Sequence, residues 1–482
     1  MHRWHLLLPV ILVLIISAVT RNVWPQATTE RFVPHVFFHA DDGIHGFELW
    51  KSNGQPQGTS LVKDIRPGPE TSLTELYYVY EPGIDLNGTV LFVADDGKNG
   101  LELWKSDGTD AGTLLLKDIY AGPGSSKPAP LVSVGRIVFF PAKDREHGTE
   151  LWQTDGTVEG TRLVKDIRPG IESSSPLFLE PFGTKLLFVT DDGQHGLEFW
   201  TSDGTEDGTV LLKDIYPGPN PVAPVPGPVA RVGDIFLLSA KDGVHGAELW
   251  KTDGTQAGTV LVKDIQPGMV GSVAVRGART VGGFAYFEAN DGVHGGELWR
   301  SDGTESGTTM VKDVRPGPMS SSSYPLATLP GRLLFMADDG THGMELWRSD
   351  GTEAGTQLVK DIDPGSAYGL LPGCFSGFVT IGGRAFFCRT NGAQGPELWR
   401  TDGTEAGTTL VKAISVAPAG GAVPRLINVY RKLYFTAVDM HGLELWKSDG
   451  TEAGTVLVRD IRLGVESSIP EGLTRVNLRV AE

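Results

Sequence analysis

One short turn recurs along this chain carrying side chains that could do acid–base or metal chemistry: Asp-Asp-Gly-x-His-Gly and its close variants. Of the 11 histidines, seven sit at its fifth position: His45, His147, His195, His245, His294, His342 and His441. Asp42, Asp192, Asp242, Asp291 and Asp339 stand three residues before five of them, and together these twelve residues form the candidate binding surface. Calcium would use the carboxylates and backbone carbonyls but avoids imidazole. Zinc would want imidazole, and each turn supplies only one, so neighbouring units would have to combine. Two units depart from the pattern, with Asn99 in one and Asn391 and Gln394 in the other, so any metal role is uneven along the chain. The competing reading is a polar turn whose Asp caps the backbone. The expected cofactor is therefore none, with Ca2+ as the one alternative.

A second constellation is stricter. Glu-Leu-Trp, once Glu-Phe-Trp, occurs nine times, at Trp50, Trp104, Trp152, Trp200, Trp250, Trp299, Trp347, Trp399 and Trp446. Asp-Gly-Thr begins three residues after each Trp except the first, where Asn53-Gly54-Gln55 stands instead. The Glu lies two residues before the Trp, on the same face of a strand. Counting back from the turn sets it opposite a Lys of the next strand, Glu48 against Lys63 for example, which predicts a cross-strand ion pair. Paired catalytic carboxylates are the alternative, but nine equivalent copies do not make one asymmetric active site. The Trp ring is expected to wedge between units, burying about 150–250 Å². A circle of sugar-stacking platforms is the competing use. The Asp of Asp-Gly-Thr is expected to accept N–H groups of its own turn.

These residues need strands to position them. The Trp-to-Trp spacings, 54, 48, 48, 50, 49, 48, 52 and 47 residues, mark a repeat architecture. Within one unit, four strands are predicted: Tyr324–Leu329, Arg332–Ala337, Met344–Ser349 and Gln357–Ile362, with Pro-Gly, Asp-Gly or Gly-Thr breaks between them. No stretch holds a helical period over three turns. Four-stranded units of this length are the blades of a β-propeller. The longest link, Pro-Gly-x-x-Ser-Ser, should run from an outermost strand to the next innermost one.

The chain ends predict closure. The first unit begins at Val36–Ala40 and lacks its first strand, while Gly472–Val480 is a strand without a unit. Joining them completes a ring with no open sheet edges. The expected fold is all-β: a β-propeller of nine four-stranded antiparallel blades, closed by the C-terminal strand completing the N-terminal blade, in one ring rather than two. Residues 1–27 are set apart as a signal peptide or anchor, 28–35 as linker, and 36–482 as the single repeat domain.

The motif resembles the bacterial repeat family named for Glu-Leu-Trp-x-x-Asp-Gly-Thr, over about Val36 to Val480. The resemblance implies a secreted or surface-associated propeller and carries over no catalytic residue.

Composition narrows the function. Fifty-nine acidic against 42 basic side chains give −17, which argues against nucleic acid, whose affinity rests on Lys and Arg against phosphate. Leu6–Val19 is an apolar run behind Arg3, short for a membrane span and suited to a secretory signal. Localisation is therefore expected to be secreted or cell envelope of a bacterium, with membrane contact only through an uncleaved N-terminal segment. The two cysteines, Cys374 and Cys388, leave a disulfide open. No phosphate loop, nucleophile elbow or His-Glu-x-x-His motif is present. The expectation is a non-enzymatic binding or scaffold propeller recognising a glycan, peptide or protein at its loop rim. A calcium-loaded structural surface protein and a propeller-based glycosidase or lyase are the alternatives.

Overall fold

Each predicted unit folds as one antiparallel four-stranded sheet in the computed structural model. The structure describes residues 31–480 except 74–82, 220–225, 274–276, 363, 365–376, 391–395 and 415–425. Nine such sheets are present, numbered here as blades 1 to 9 in the order of their Trp residues. Blade 7 shows the pattern: strands Tyr324–Leu329, Arg332–Asp338, Met344–Ser349 and Gln357–Lys360 pair in chain order. The turns follow local chemistry. Asn87 and Gly88 both take positive φ, 56° and 89°, as a two-residue hairpin matching strand twist requires.

Among the described residues the first strands of successive blades touch one another at eight of the nine seams, where the fourth strands lie farther apart. The first strands therefore line the axis and the fourth strands form the outer wall, as the loop lengths imply. Closure is also as predicted. Arg31–Asp41 pairs with Glu471–Val480, Val36 opposite Arg475, giving blade 1 its innermost strand from the far end of the chain. That strand starts at Arg31, inside the stretch expected to be linker.

One blade cannot cover its own faces, so the core lies in the seams. Leu49, Val62 and Ile65 of blade 1 pack against Val90, Phe92, Ala94 and Trp104 of blade 2. The same set recurs at the closing seam, where Leu445, Val458 and Ile461 of blade 9 meet Val36, Phe38, Ala40 and Trp50. Eight of the nine Trp rings are buried to 5–7% exposure, as wedges against the preceding blade; Trp399 is half-buried. Each covers a second-strand neighbour, as Trp347 covers Phe335 at 6.3 Å between ring centres.

Candidate functional site

The rim residues lie on the turn between the second and third strands of each blade. In blade 1, Asp42 Oδ1 accepts the N–H groups of Ile44 and His45, and Asp42 Oδ2 lies 2.8 Å from His45 Nδ1. The same closed unit forms at Asp144–His147, Asp192–His195, Asp242–His245, Asp291–His294 and Asp339–His342, with ring contacts of 2.7–2.8 Å. Asp439–His441, in a turn one residue shorter, makes a looser contact at 3.1 Å. Asn99 takes the place of histidine in blade 2 and donates Nδ2 to Asp96 Oδ2 at 2.9 Å. An amide doing the work of an imidazole shows that this bond locks the turn. Asn391 and Gln394 lie outside the described residues.

The electrostatics follow. The Asp42 hydrogen bond holds the His45 imidazole above its usual range, with the Asp64 and Glu48 charges adding to it. For Asp42, burial pushes upward, but the backbone and ring of His45 and the N–H of Ile44 together hold it below the usual carboxylate value. In blade 5 the far ring nitrogen, Nε2 of His245, faces Asp264 Oδ2 at 3.9 Å. The structure brings each histidine together with its own turn's Asp. Among the described residues no three His, Cys, Asp or Glu side chains gather as a group that could hold a metal.

The Glu residues sit elsewhere than predicted. A bulge between Leu49 and Trp50 sets Lys63 opposite Leu49, not Glu48. A bulge at the corresponding step shifts the register in every blade, and a one-residue slip moves the partner to the other face. Glu48 turns inward and accepts the N–H groups of Ile65 and Arg66 at 3.0 Å each. Glu150 accepts those of Ile167 and Ser174, together with the Ser174 hydroxyl at 2.6 Å. Eight of the nine Glu residues therefore pin the loop that leads to the next blade, while Glu397 accepts the Trp399 indole N–H at 2.8 Å. Burial pushes Glu48, Glu102, Glu150, Glu198, Glu297 and Glu444 up to about 7, against the opposing pull of these donors.

The Lys released from this pairing bridges the seam. Lys213 Nζ donates to the Thr259 carbonyl of the next blade at 2.7 Å and lies over the Trp250 ring, 5.7 Å from its centre. Lys263, Lys312 and Lys412 repeat both contacts. The Asp of Asp-Gly-Thr behaves as expected: Asp155 Oδ1 accepts the Thr157 N–H and hydroxyl.

A second seam bond was missed. Arg66 reaches Asp95 of the next blade at 3.1 Å, Arg168 reaches Asp191 at 3.2 Å, and Arg315 and Arg462 bind Asp338 and Asp41 likewise. Where the Arg is replaced by Tyr120 or Tyr216, the Asp is replaced by Lys143 or Lys241, lying over the ring at 5.9 and 5.7 Å. These matched exchanges were visible in the chain, but only the fold shows that the two positions meet. The possible Cys374–Cys388 bridge cannot be placed, since Cys374 lies outside the described residues; Cys388 is buried.

The site and the fold define a closed nine-bladed propeller with a self-satisfied rim. No family model matches the chain, and no curated protein matches it. Solved structures do resemble it. A puromycin hydrolase is 15% identical with a TM-score of 0.38, covering 71% of this chain and 54% of its own. Prolyl endopeptidases analysed for inter-domain dynamics in catalysis and specificity are 13% identical at 0.41, over 74% and 54%. A puromycin-hydrolysing peptidase of Mycobacterium tuberculosis is 9% identical at 0.40, over 80% and 54%. The chain spans about half the length of these proteins, and the likeness is one of fold. The proteins on that side of the comparison are hydrolases and peptidases. The expectations of a pure binding or scaffold propeller and of a non-enzymatic chain stand against these named hydrolases and peptidases, whose likeness to this chain extends to fold alone.

Proposed function

We propose that this chain serves peptide hydrolysis as the ring that admits an extended peptide, with the axial wall as its working surface. One observation carries the reading. The innermost strand of each blade pairs on one side only, so nine strand edges turn toward the axis. An unpaired edge hydrogen-bonds an extended peptide through main-chain groups, with side chains tuning the choice. The wall is also held in shape. Thr280 Oγ1 donates to the Arg231 carbonyl of the neighbouring blade at 2.7 Å, and Thr380 Oγ1 to that of Thr328 at 3.1 Å. The rim Asp and His groups, by contrast, are engaged inside their own turns.

The test is a photo-crosslinking unstructured decapeptide incubated with the full chain, with mass spectrometry reading both adducts and cleavage. Adducts on the innermost strands, around Arg279, Thr280 and Thr380, support the reading. Cleavage together with those adducts would place the hydrolytic residues in this chain. Adducts confined to the rim turns, or none at all, would overturn it.

A further inference from the structure

Two arginines stand at one level of the axial wall, on opposite sides. Arg475 pairs with Val36 in blade 1 and Arg231 with Phe236 in blade 5. Val36 and Phe236 in turn pair with Ser52 and Thr252, the last residues of the two third strands, so the level is the same. Blades 1 and 5 lie four places apart in a ring of nine. Blades 6, 7 and 8 carry Thr280, Thr328 and Thr380 in this register, so arginine departs from its neighbours here. Both Arg side chains are exposed.

Each guanidinium is laid over an aromatic ring of the preceding blade. Arg231 lies over Phe182 at 5.8 Å from the ring centre, and Arg475 over Tyr430 at 4.8 Å. The fold holds Tyr430 for this contact in an unusual way. Tyr430 and Arg431 take φ of 49° and 64°, in a turn where blades 6 and 8 use Gly282-Gly283 and Gly382-Gly383. Bulky side chains rarely adopt that region, and such outliers gather where binding needs a fixed geometry. The Tyr430 hydroxyl is fixed as well, donating to Asn477 Oδ1 at 2.7 Å. Arg231 gives Nε to the neutral Gly233 carbonyl at 2.9 Å. The acid at this level, Asp85, is engaged by the N–H groups of Gly88 and Asn477 at 2.7 and 3.1 Å. Among the described residues neither Arg is paired with a carboxylate.

We infer that these two Arg–aromatic pairs bind acidic side chains of the extended peptide that the ring admits. A guanidinium stacked on a ring keeps its in-plane N–H groups turned outward, in a fork that matches a carboxylate. Such charge-assisted bonds are about twice as strong as neutral ones. The chain's net charge of −17 disfavours an acidic peptide over the rest of the surface, so its capture depends on these local pairs and disappears with them. The inference rests on the peptide role proposed above and names the peptide class.

The test measures binding of three end-blocked, fluorescently labelled decapeptides to the full chain by anisotropy: alternating Glu and Ser, alternating Gln and Ser, and alternating Lys and Ser. Polygalacturonate serves as a polyanion that is not a peptide. The same titrations are run on Arg231→Thr with Arg475→Thr, which copies the Thr280, Thr328 and Thr380 of the same level; unchanged melting is its folding control. The Glu peptide is expected to bind about tenfold or more tighter than the Gln peptide, with the Lys peptide no better than Gln, and the preference is expected to vanish in the variant. Equal binding of the Glu and Gln peptides by the natural chain overturns the inference, and that comparison holds even where the variant melts early. So do an unaltered preference in a folded variant and tighter binding of polygalacturonate than of the Glu peptide. Crosslinks along the axial strands without any acid preference sink this inference and leave the ring's role standing. An acid preference lost with the two Arg, but without axial crosslinks, overturns the ring's role and keeps the Arg–aromatic pairs as the acid-binding groups.

Discussion

Replacing Glu150 by Gln tests the structural role assigned to the buried carboxylates. Glu150 Oε1 accepts the Ser174 N–H at 2.8 Å, and Oε2 accepts the Ile167 N–H at 3.0 Å and the Ser174 hydroxyl at 2.6 Å. A glutamine keeps the shape but turns one acceptor into a donor. One backbone N–H then faces another N–H with no water to replace the bond. A buried donor left unpaired costs about 1–3 kcal/mol, while the serine hydroxyl can rotate to a new partner. The loop from blade 3 to blade 4 should therefore open more readily. At about 2 kcal/mol, amide exchange at Ile167 and Ser174 should quicken by roughly 30-fold, since 1.4 kcal/mol is about a factor of ten. Native-state hydrogen exchange reads both amides. The Ile119 amide, held by Glu102 at 2.9 Å in the adjacent blade, serves as internal reference and should not move. Unchanged protection at Ile167 and Ser174 would refute the claim that this carboxylate holds the loop.

Three other outcomes follow from the same contacts. Stability should fall as pH rises from about 5 to 8: the folded Glu48, Glu102, Glu150, Glu198, Glu297 and Glu444 hold protons up to about 7, whereas the unfolded chain releases them near its ordinary value of about 4.3. The raised histidines act in the same direction, and a melting temperature that climbs across this window would contradict the assignment. Trp299→Ala should cost about 3–5 kcal/mol by urea denaturation, because the ring is 6% exposed in the seam core; an unaltered midpoint would show that the wedge is dispensable. For the Arg66–Asp95 bridge, a double-mutant cycle with Arg66→Ala and Asp95→Ala should return a coupling of about 0.2–1 kcal/mol, given its partial exposure; zero coupling would remove it as a seam element.

Much of this molecule was readable before any coordinates. The spacing of Trp, the Gly-marked turns and the apolar runs determined four strands per unit, nine units, and their antiparallel order. These are local properties: strand period, turn conformation and repeat length act over a few residues. Ring closure was also legible, because Val36–Ala40 and Gly472–Val480 each lack what the other supplies. The partners of the charged groups were not. Glu48 was expected to meet Lys63, and a bulge at the Leu49–Trp50 step gave Lys63 to Leu49 and freed Glu48 for backbone N–H groups 17 and 18 residues on. No pattern in the chain announces that extra residue. The Arg–Asp and Tyr–Lys seam pairs likewise needed the ring, because their members lie in successive blades and meet only when the sheets pack side by side. The chain determined which elements form; tertiary packing decided which polar groups they bring into contact, because burial forces each one to find a partner and the sheet geometry limits which are within reach.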